Sequence, residues 1–117
     1  MHLVPAARAH SHVIDEHTVC EALAGLPAPG ELRRQSELFA LLGDPTRLAL
    51  LHCIHAAGSI CVTDLAVATG LNDTTVSQAL RLLRARGAVT ADRDGRVLRY
   101  RVRDPAVVGL LSRYRKV

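Results

Sequence analysis

A mainly α-helical fold that carries one β-hairpin is predicted by three features of this sequence. Apolar residues recur with helical period in successive stretches, each closed by Gly or Pro. After Gly87 the period changes to two, around an Asp94-Gly95 turn signal. The apolar content comes mostly from Leu, Ala and Val, with one Phe, two Tyr and no Trp, which suits helices packed on aliphatic side chains.

The elements follow in order. Residues 1–14 hold His2, His10 and His12 without a helical apolar period and read as a flexible arm; residues 15–117 read as the folded domain. A short helix from about Asp15 to Leu26 is closed by Pro27-Ala-Pro-Gly30, a strong breaker. A second periodic stretch, Leu32 to Leu42, ends at Gly43. Asp44 can cap the next helix, and Pro45 fits its first turn, where a missing N–H costs nothing. That helix, about Thr46 to Ala57, ends at Gly58.

Val62 to Ala68 is a two-turn helix, and Thr69-Gly70-Leu71 a tight turn. Asn72 or Asp73 then caps a longer helix to about Arg86, closed by Gly87. Short helix, Gly-containing turn and longer helix make a helix-turn-helix. Strands are predicted over Ala88–Asp92 and Arg96–Val102, joined at Asp94-Gly95. In the second, Val97, Leu98, Tyr100 and Val102 sit among Arg96, Arg99, Arg101 and Arg103, giving a ribbon with one basic face. A last helix runs from Pro105 to about Tyr114. The fold class is therefore a winged helix-turn-helix, with the hairpin as the wing.

A length of 117 residues is one domain's worth and buries a modest core, so burial against a second copy would help. No apolar run reaches the roughly 18 residues that span a bilayer, and the first residues lack the apolar centre of a secretion signal. A cytoplasmic location without membrane contact is expected. Three cysteines, Cys20, Cys53 and Cys61, are too few and too scattered for a disulfide framework. The net charge of +4 is unevenly spread: from Arg81 to Arg103 eight arginines face only Asp92 and Asp94, a local +6. Such a segment is the footprint of a polyanion partner, although a solvated charged face alone would show the same excess. No phosphate-cradling glycine loop or nucleophile elbow is present, so an enzyme is not expected.

The longer helix carries the chemistry. At 100° per residue, Thr74, Ser77, Gln78, Arg81 and Arg84 fall within an arc of about 120°, opposite Val76, Ala79, Leu80 and Leu83. Gln can pair two-pronged with adenine, Arg with guanine, and Thr or Ser with phosphate. An amphipathic helix alone says little; its place as second helix of a helix-turn-helix, before a basic hairpin, makes it the expected reader of double-stranded DNA. The expected DNA-contacting residues are Thr74, Thr75, Ser77, Gln78, Arg81 and Arg84, with Arg93 and Arg96 on the wing.

Four segments, taken together, resemble a known family. They are Leu38-Phe-Ala-Leu-Leu-Gly-Asp-Pro-Thr-Arg-Leu-Ala-Leu-Leu51, Cys61-Val-Thr-Asp-Leu-Ala66, Val76-Ser-Gln-Ala-Leu-Arg-Leu-Leu-Arg84 and Gly95-Arg-Val-Leu-Arg-Tyr100. The chain resembles the ArsR/SmtB family of metal-responsive repressors over about residues 32–112. The resemblance implies a homodimer through the first and last helices, with Leu110 and Leu111 available for the seam. It also implies a palindromic operator, repression, and departure from DNA when an inducer binds.

One family site uses a Cys at the start of the first helix of the helix-turn-helix, joined by ligands from the other subunit's N-terminal arm. Cys61-Val62-Thr63-Asp64-Leu65 matches it, with Thr63 where a second Cys stands in arsenic- or cadmium-type sites. Cys61 and Asp64 are three apart and can share an ion, and the arm offers His10, His12, His17 and Cys20. Mixed thiolate and imidazole donors suit Zn(II), or Cd(II) as a softer mimic. The family's other site, on the last helix, is expected to be absent: Asp104 matches, but Ala106 replaces its His. Alternatives stand beside these readings. Cys61 also reads as a small buried residue, Asp64 as a helix-start charge, Cys20 as interface core, and His10 and His12 as inert. Cys53 reads as core, and His52 and His55 as surface or satisfied. A thiol redox-sensing repressor of the same fold is the alternative function, and a helical interaction module that does not bind DNA is a further one.

Overall fold

A computed structural model describes residues 12–115, which fall into two units, the first through Glu37 and the second from Leu38. His10 and most of the expected arm lie outside the described residues. None of the described helices is long and apolar enough to cross a membrane.

The first unit holds α1 (Glu16–Ala24) and the start of α2 (Pro29–Leu42). Asp15 caps α1, its carboxylate accepting from the Thr18 hydroxyl at 2.8 Å and the Thr18 N–H at 3.2 Å. Those bonds hold the Asp15 carboxyl below its ordinary pKa. The Pro27–Gly30 segment breaks the chain more briefly than its sequence suggests: α2 already begins at Pro29, since proline is tolerated in a first helical turn.

In the second unit, α3 (Pro45–Ala57) is capped by Asp44, which accepts from the Arg47 N–H at 3.0 Å. Arg47 then reaches back, donating from Nε to the Leu41 carbonyl at 2.8 Å and from Nη2 to that of Ala40 at 3.2 Å. It thereby satisfies last-turn carbonyls of α2 that no helical N–H can reach. After α3 come β1 (Ile60–Cys61), α4 (Val62–Thr69), α5 (Asp73–Ala85), β2 (Val89–Asp94), β3 (Val97–Val102) and α6 (Pro105–Arg113). The strands form one antiparallel sheet in the order β1-β3-β2. β1 is an element the sequence did not announce.

Leu50, Leu51 and Ile54 of α3 are fully buried, and α3 touches α4, α5, β3 and α6. Leu65, Val76, Leu80, Leu83, Val89, Val107 and Leu111 complete a single aliphatic core. Leu111 is only 2% exposed, so it belongs to this core and not to a dimer seam, which corrects the sequence expectation. A helix that packs on its own chain turns one stripe inward, and Val107 and Leu111, four apart, are that stripe on α6. Leu110 and Tyr114 lie outside it, and Tyr114 is exposed.

Ile54→Ala is expected to lower the unfolding free energy by about 2–5 kcal/mol. Val67→Ala, at a position 81% exposed, should change it by less than about 0.5 kcal/mol. Urea unfolding of both variants checks this; equal losses would contradict the core as described.

Candidate nucleic-acid interface

The turn between α4 and α5 is set by Gly70, whose φ of 74° closes α4 in the left-handed region that side-chain-bearing residues avoid. Its N–H donates to the Ala66 carbonyl at 2.9 Å. Two residues on, Asn72 caps α5, its side-chain oxygen accepting from the Thr75 N–H at 2.8 Å. The start of α5 is thus fixed by a local hydrogen bond, and its rotation by the core. Val76, Leu80 and Leu83 are 0% exposed, which turns the opposite arc outward. Thr74, Gln78, Arg81 and Arg84 are exposed and Ser77 is half-buried beside them. Thr75 stands off this arc, half-buried, and its backbone serves the cap.

The wing differs from the sequence expectation in register and in charge. β2 and β3 pair from Val89↔Val102 to Asp94↔Val97, so the two loop residues are Gly95 and Arg96. Gly95 has φ 62° and Arg96 is not in positive φ, the pattern of a type II′ turn with Gly first. Arg96 therefore sits in the loop itself. Cross-strand partners share a face, so Asp92 lies with Arg99 and Thr90 with Arg101 on the side away from Val89 and Tyr100. That face is not uniformly basic. Arg99 Nε donates to Asp94 at 3.0 Å, and Arg101 Nε to Asp92 at 2.9 Å. Among the described residues Arg93 and Arg96 form no ion pair, and both are exposed.

A winged helix-turn-helix DNA-binding family profile matches residues 43–90. The chain is 37% identical over 87 residues to the transcriptional repressor SmtB homolog of Synechocystis, covering 74% of this chain and 63% of that protein. Among solved structures it resembles the AntR antimony-specific transcriptional repressor, at 31% identity and TM-score 0.60, over 94% of this chain and 87% of that one. It also resembles the homodimeric winged helix-turn-helix domain of Mb0332 from Mycobacterium bovis, described as a possible ArsR-family regulator. That likeness is 31% identical with TM-score 0.64 over 71% of this chain and 76% of that one. The chain belongs to the ArsR/SmtB family.

ArsR/SmtB proteins are DNA-binding transcriptional regulators and not enzymes. In this member the candidate ligands lie on different elements. Cys61 ends β1 and is the N-cap of α4, half-buried, with no side-chain hydrogen bond to the helix start. Asp64 is exposed in the third helical position, which an N-cap side chain faces. His12 is exposed, and His17 pairs with Glu21 at 2.8 Å on α1, the helix that also carries Cys20. Among the described residues no three His, Cys, Asp or Glu side chains gather into a metal-holding cluster. Cys61 and Asp64 offer two of the four donors that Zn(II) commonly takes, so they fit part of such a site and do not complete it. None of the three cysteines is in a disulfide.

Two features of this ArsR/SmtB fold escaped the sequence. β1 has two residues and so no periodicity to detect. The other is the Asp–Arg pairing: counting outward from a two-residue Gly95-Arg96 loop puts Asp92, Asp94, Arg99 and Arg101 on one face of the hairpin, where the diagonal pairs Asp94–Arg99 and Asp92–Arg101 form.

Asn72→Ala should cost about 1 kcal/mol of stability and loosen the first turn of α5. Faster amide hydrogen exchange at Thr74 and Thr75, with Leu83 unchanged, is the expected readout; unchanged exchange at both threonines would show that the cap does not fix the helix start.

Proposed function

We propose that this chain is a repressor that binds a palindromic operator as a homodimer and leaves it when a Zn(II)- or Cd(II)-type ion binds. The observation that carries the DNA part is α5: one face wholly buried, the other presenting Thr74, Ser77, Gln78, Arg81 and Arg84, between a Gly70 turn and a wing with two unpaired arginines. The names of the SmtB homolog and AntR support repression, and the homodimeric Mb0332 domain supports the assembly. In a two-fold dimer the reading helices meet half-sites about 34–36 Å apart, one turn of DNA.

Gln78 and Ser77 contact base edges in this reading, so Gln78→Ala and Ser77→Ala should each lower operator affinity by about 1–3 kcal/mol where they touch bases. Gel shifts with operator and scrambled duplex check this. Unchanged discrimination by Gln78→Ala would remove α5 as the reader.

The inducer part rests on Cys61 and Asp64, completed by donors from the partner's arm, with His10, His12, His17 and Cys20 as candidates. A bound ion would supply a tether between these donors. Cys61 and Asp64 open the first helix of the helix-turn-helix, so constraining them constrains where α5 sits. A ligand shifts the DNA equilibrium only through unequal affinity for the free and DNA-bound shapes, and the effect is reciprocal. Cys61→Ser is expected to keep DNA binding, lose release by Zn(II), and lack the thiolate charge-transfer band that Cd(II) gives the unaltered protein. Normal release of Cys61→Ser by Zn(II) would place the inducer site elsewhere.

A further inference from the structure

The wing that follows the reading helix holds two carboxylates, Asp92 and Asp94, on either side of Arg93. They lie on the face of the hairpin opposite Arg93, whose cross-strand partner is Leu98; in a wing that meets DNA, each unpaired carboxylate would add a like charge near the phosphate backbone, which opposes association. Each instead accepts a hydrogen bond from an arginine on the neighbouring strand: Asp94 from Arg99 at 3.0 Å and Asp92 from Arg101 at 2.9 Å. The register explains the choice of partner. Arg99 is directly opposite Asp92 and Arg101 opposite Thr90, so each guanidinium reaches diagonally, Arg99 toward the loop for Asp94 and Arg101 for Asp92. The two rungs form a charge-neutral ladder along one face of the hairpin. All four side chains are substantially exposed, from 40% for Arg99 to 70% for Asp94, and exposed pairs add little to folding stability. A role in holding the fold together is therefore the weaker explanation of the ladder.

We infer that Arg99 and Arg101 are positioning residues of the wing and make no phosphate contact of their own. They neutralise Asp94 and Asp92 and hold both carboxylates along the sheet, leaving Arg93 and Arg96 as the wing residues that meet DNA phosphate. The inference rests on the DNA-binding reading and adds to it a division of the basic hairpin: of the four arginines from Arg93 to Arg101, two act only inside the protein.

The test compares single and paired neutral variants on a duplex selected by the protein from a random-sequence pool, with affinity measured over a range of salt. Neutralising a phosphate-contacting arginine lowers the slope of log affinity against log salt by about 1. Arg99→Gln alone is expected to weaken binding at least about fivefold, because Asp94 is left as an unmatched charge near phosphate. The double variant Asp94→Asn/Arg99→Gln should return to within about twofold of the unaltered protein and keep its salt slope. Arg101→Gln and Asp92→Asn/Arg101→Gln should behave alike, while Arg93→Gln and Arg96→Gln each lower the slope by about 1. Thermal unfolding of every variant near that of the unaltered chain confirms that folding is not the cause. A double variant that stays as weak as its arginine single, with a reduced slope, makes that arginine a phosphate contact and overturns the inference. If the unaltered chain shows no salt-dependent duplex binding, the DNA reading itself falls, which that measurement alone distinguishes.

Discussion

The second unit is organised by the burial of one face of α3. Leu50, Leu51 and Ile54 are wholly removed from water, at about 1.5–3 kcal/mol for each such side chain. The helix that carries them touches α4, α5, β3 and α6. Because α5 meets this floor through Val76, Leu80 and Leu83, its rotation about its own axis is not free. The same burial that stabilises the fold thereby decides which side chains of α5 point outward. The outward placement of Thr74, Gln78 and Arg81, proposed here to recognise DNA, is in this sense a consequence of packing on the other side of the helix. Arg47 extends the arrangement, joining the start of α3 to the last carbonyls of α2.

The wing obeys a different constraint. It has few buried residues beyond Val89, and its outer part is ordered by the backbone ladder of β2 and β3 and the Gly95 turn. In the proposed function electrostatics there has to satisfy opposing demands, a positive field toward DNA and no net repulsion within a narrow ribbon. Pairing two arginines with two aspartates while leaving Arg93 and Arg96 unpaired meets both. The third strand adds a connection: β1 pairs with β3, with Ile60 opposite Tyr100 and Cys61 opposite Arg99. Cys61 thus belongs at once to the sheet of the wing and to the start of α4. It has a hydrogen-bonded link to the wing through β3 and a covalent link to α4, the helix before α5.

Much of this was legible in the residues. The alternation of Leu and Val at helical spacing, the capping Asp44 and Asn72, and the glycines at 58, 70 and 87 mark the helices within a few positions of where they lie. The outward arc of α5 follows from the 100° rotation per residue. What failed to show had physical reasons. β1 is too short to have a period and exists because β3 offers it a hydrogen-bonding edge. Leu110 and Leu111 are alike in sequence, and only the orientation of α6 against the core separates the buried one from its neighbour. The turn loop moved one residue because Gly is needed at the first loop position, where φ is positive. The proposed metal ligands were the least legible, since the reading draws them from segments far apart in sequence and from a second copy of the chain.

The proposed function puts DNA contact on the face of α5 opposite the core, together with the tip of the wing. The most direct measurement is nitrogen-15 NMR of the labelled chain titrated with its selected duplex, following backbone amides and arginine side chains. The account predicts that the largest changes fall at Thr74, Gln78, Arg81, Arg84, Arg93 and Arg96, with the exposed Val67 of α4 little affected. Changes concentrated on α4 and α6, with α5 and the wing tip undisturbed, would contradict it.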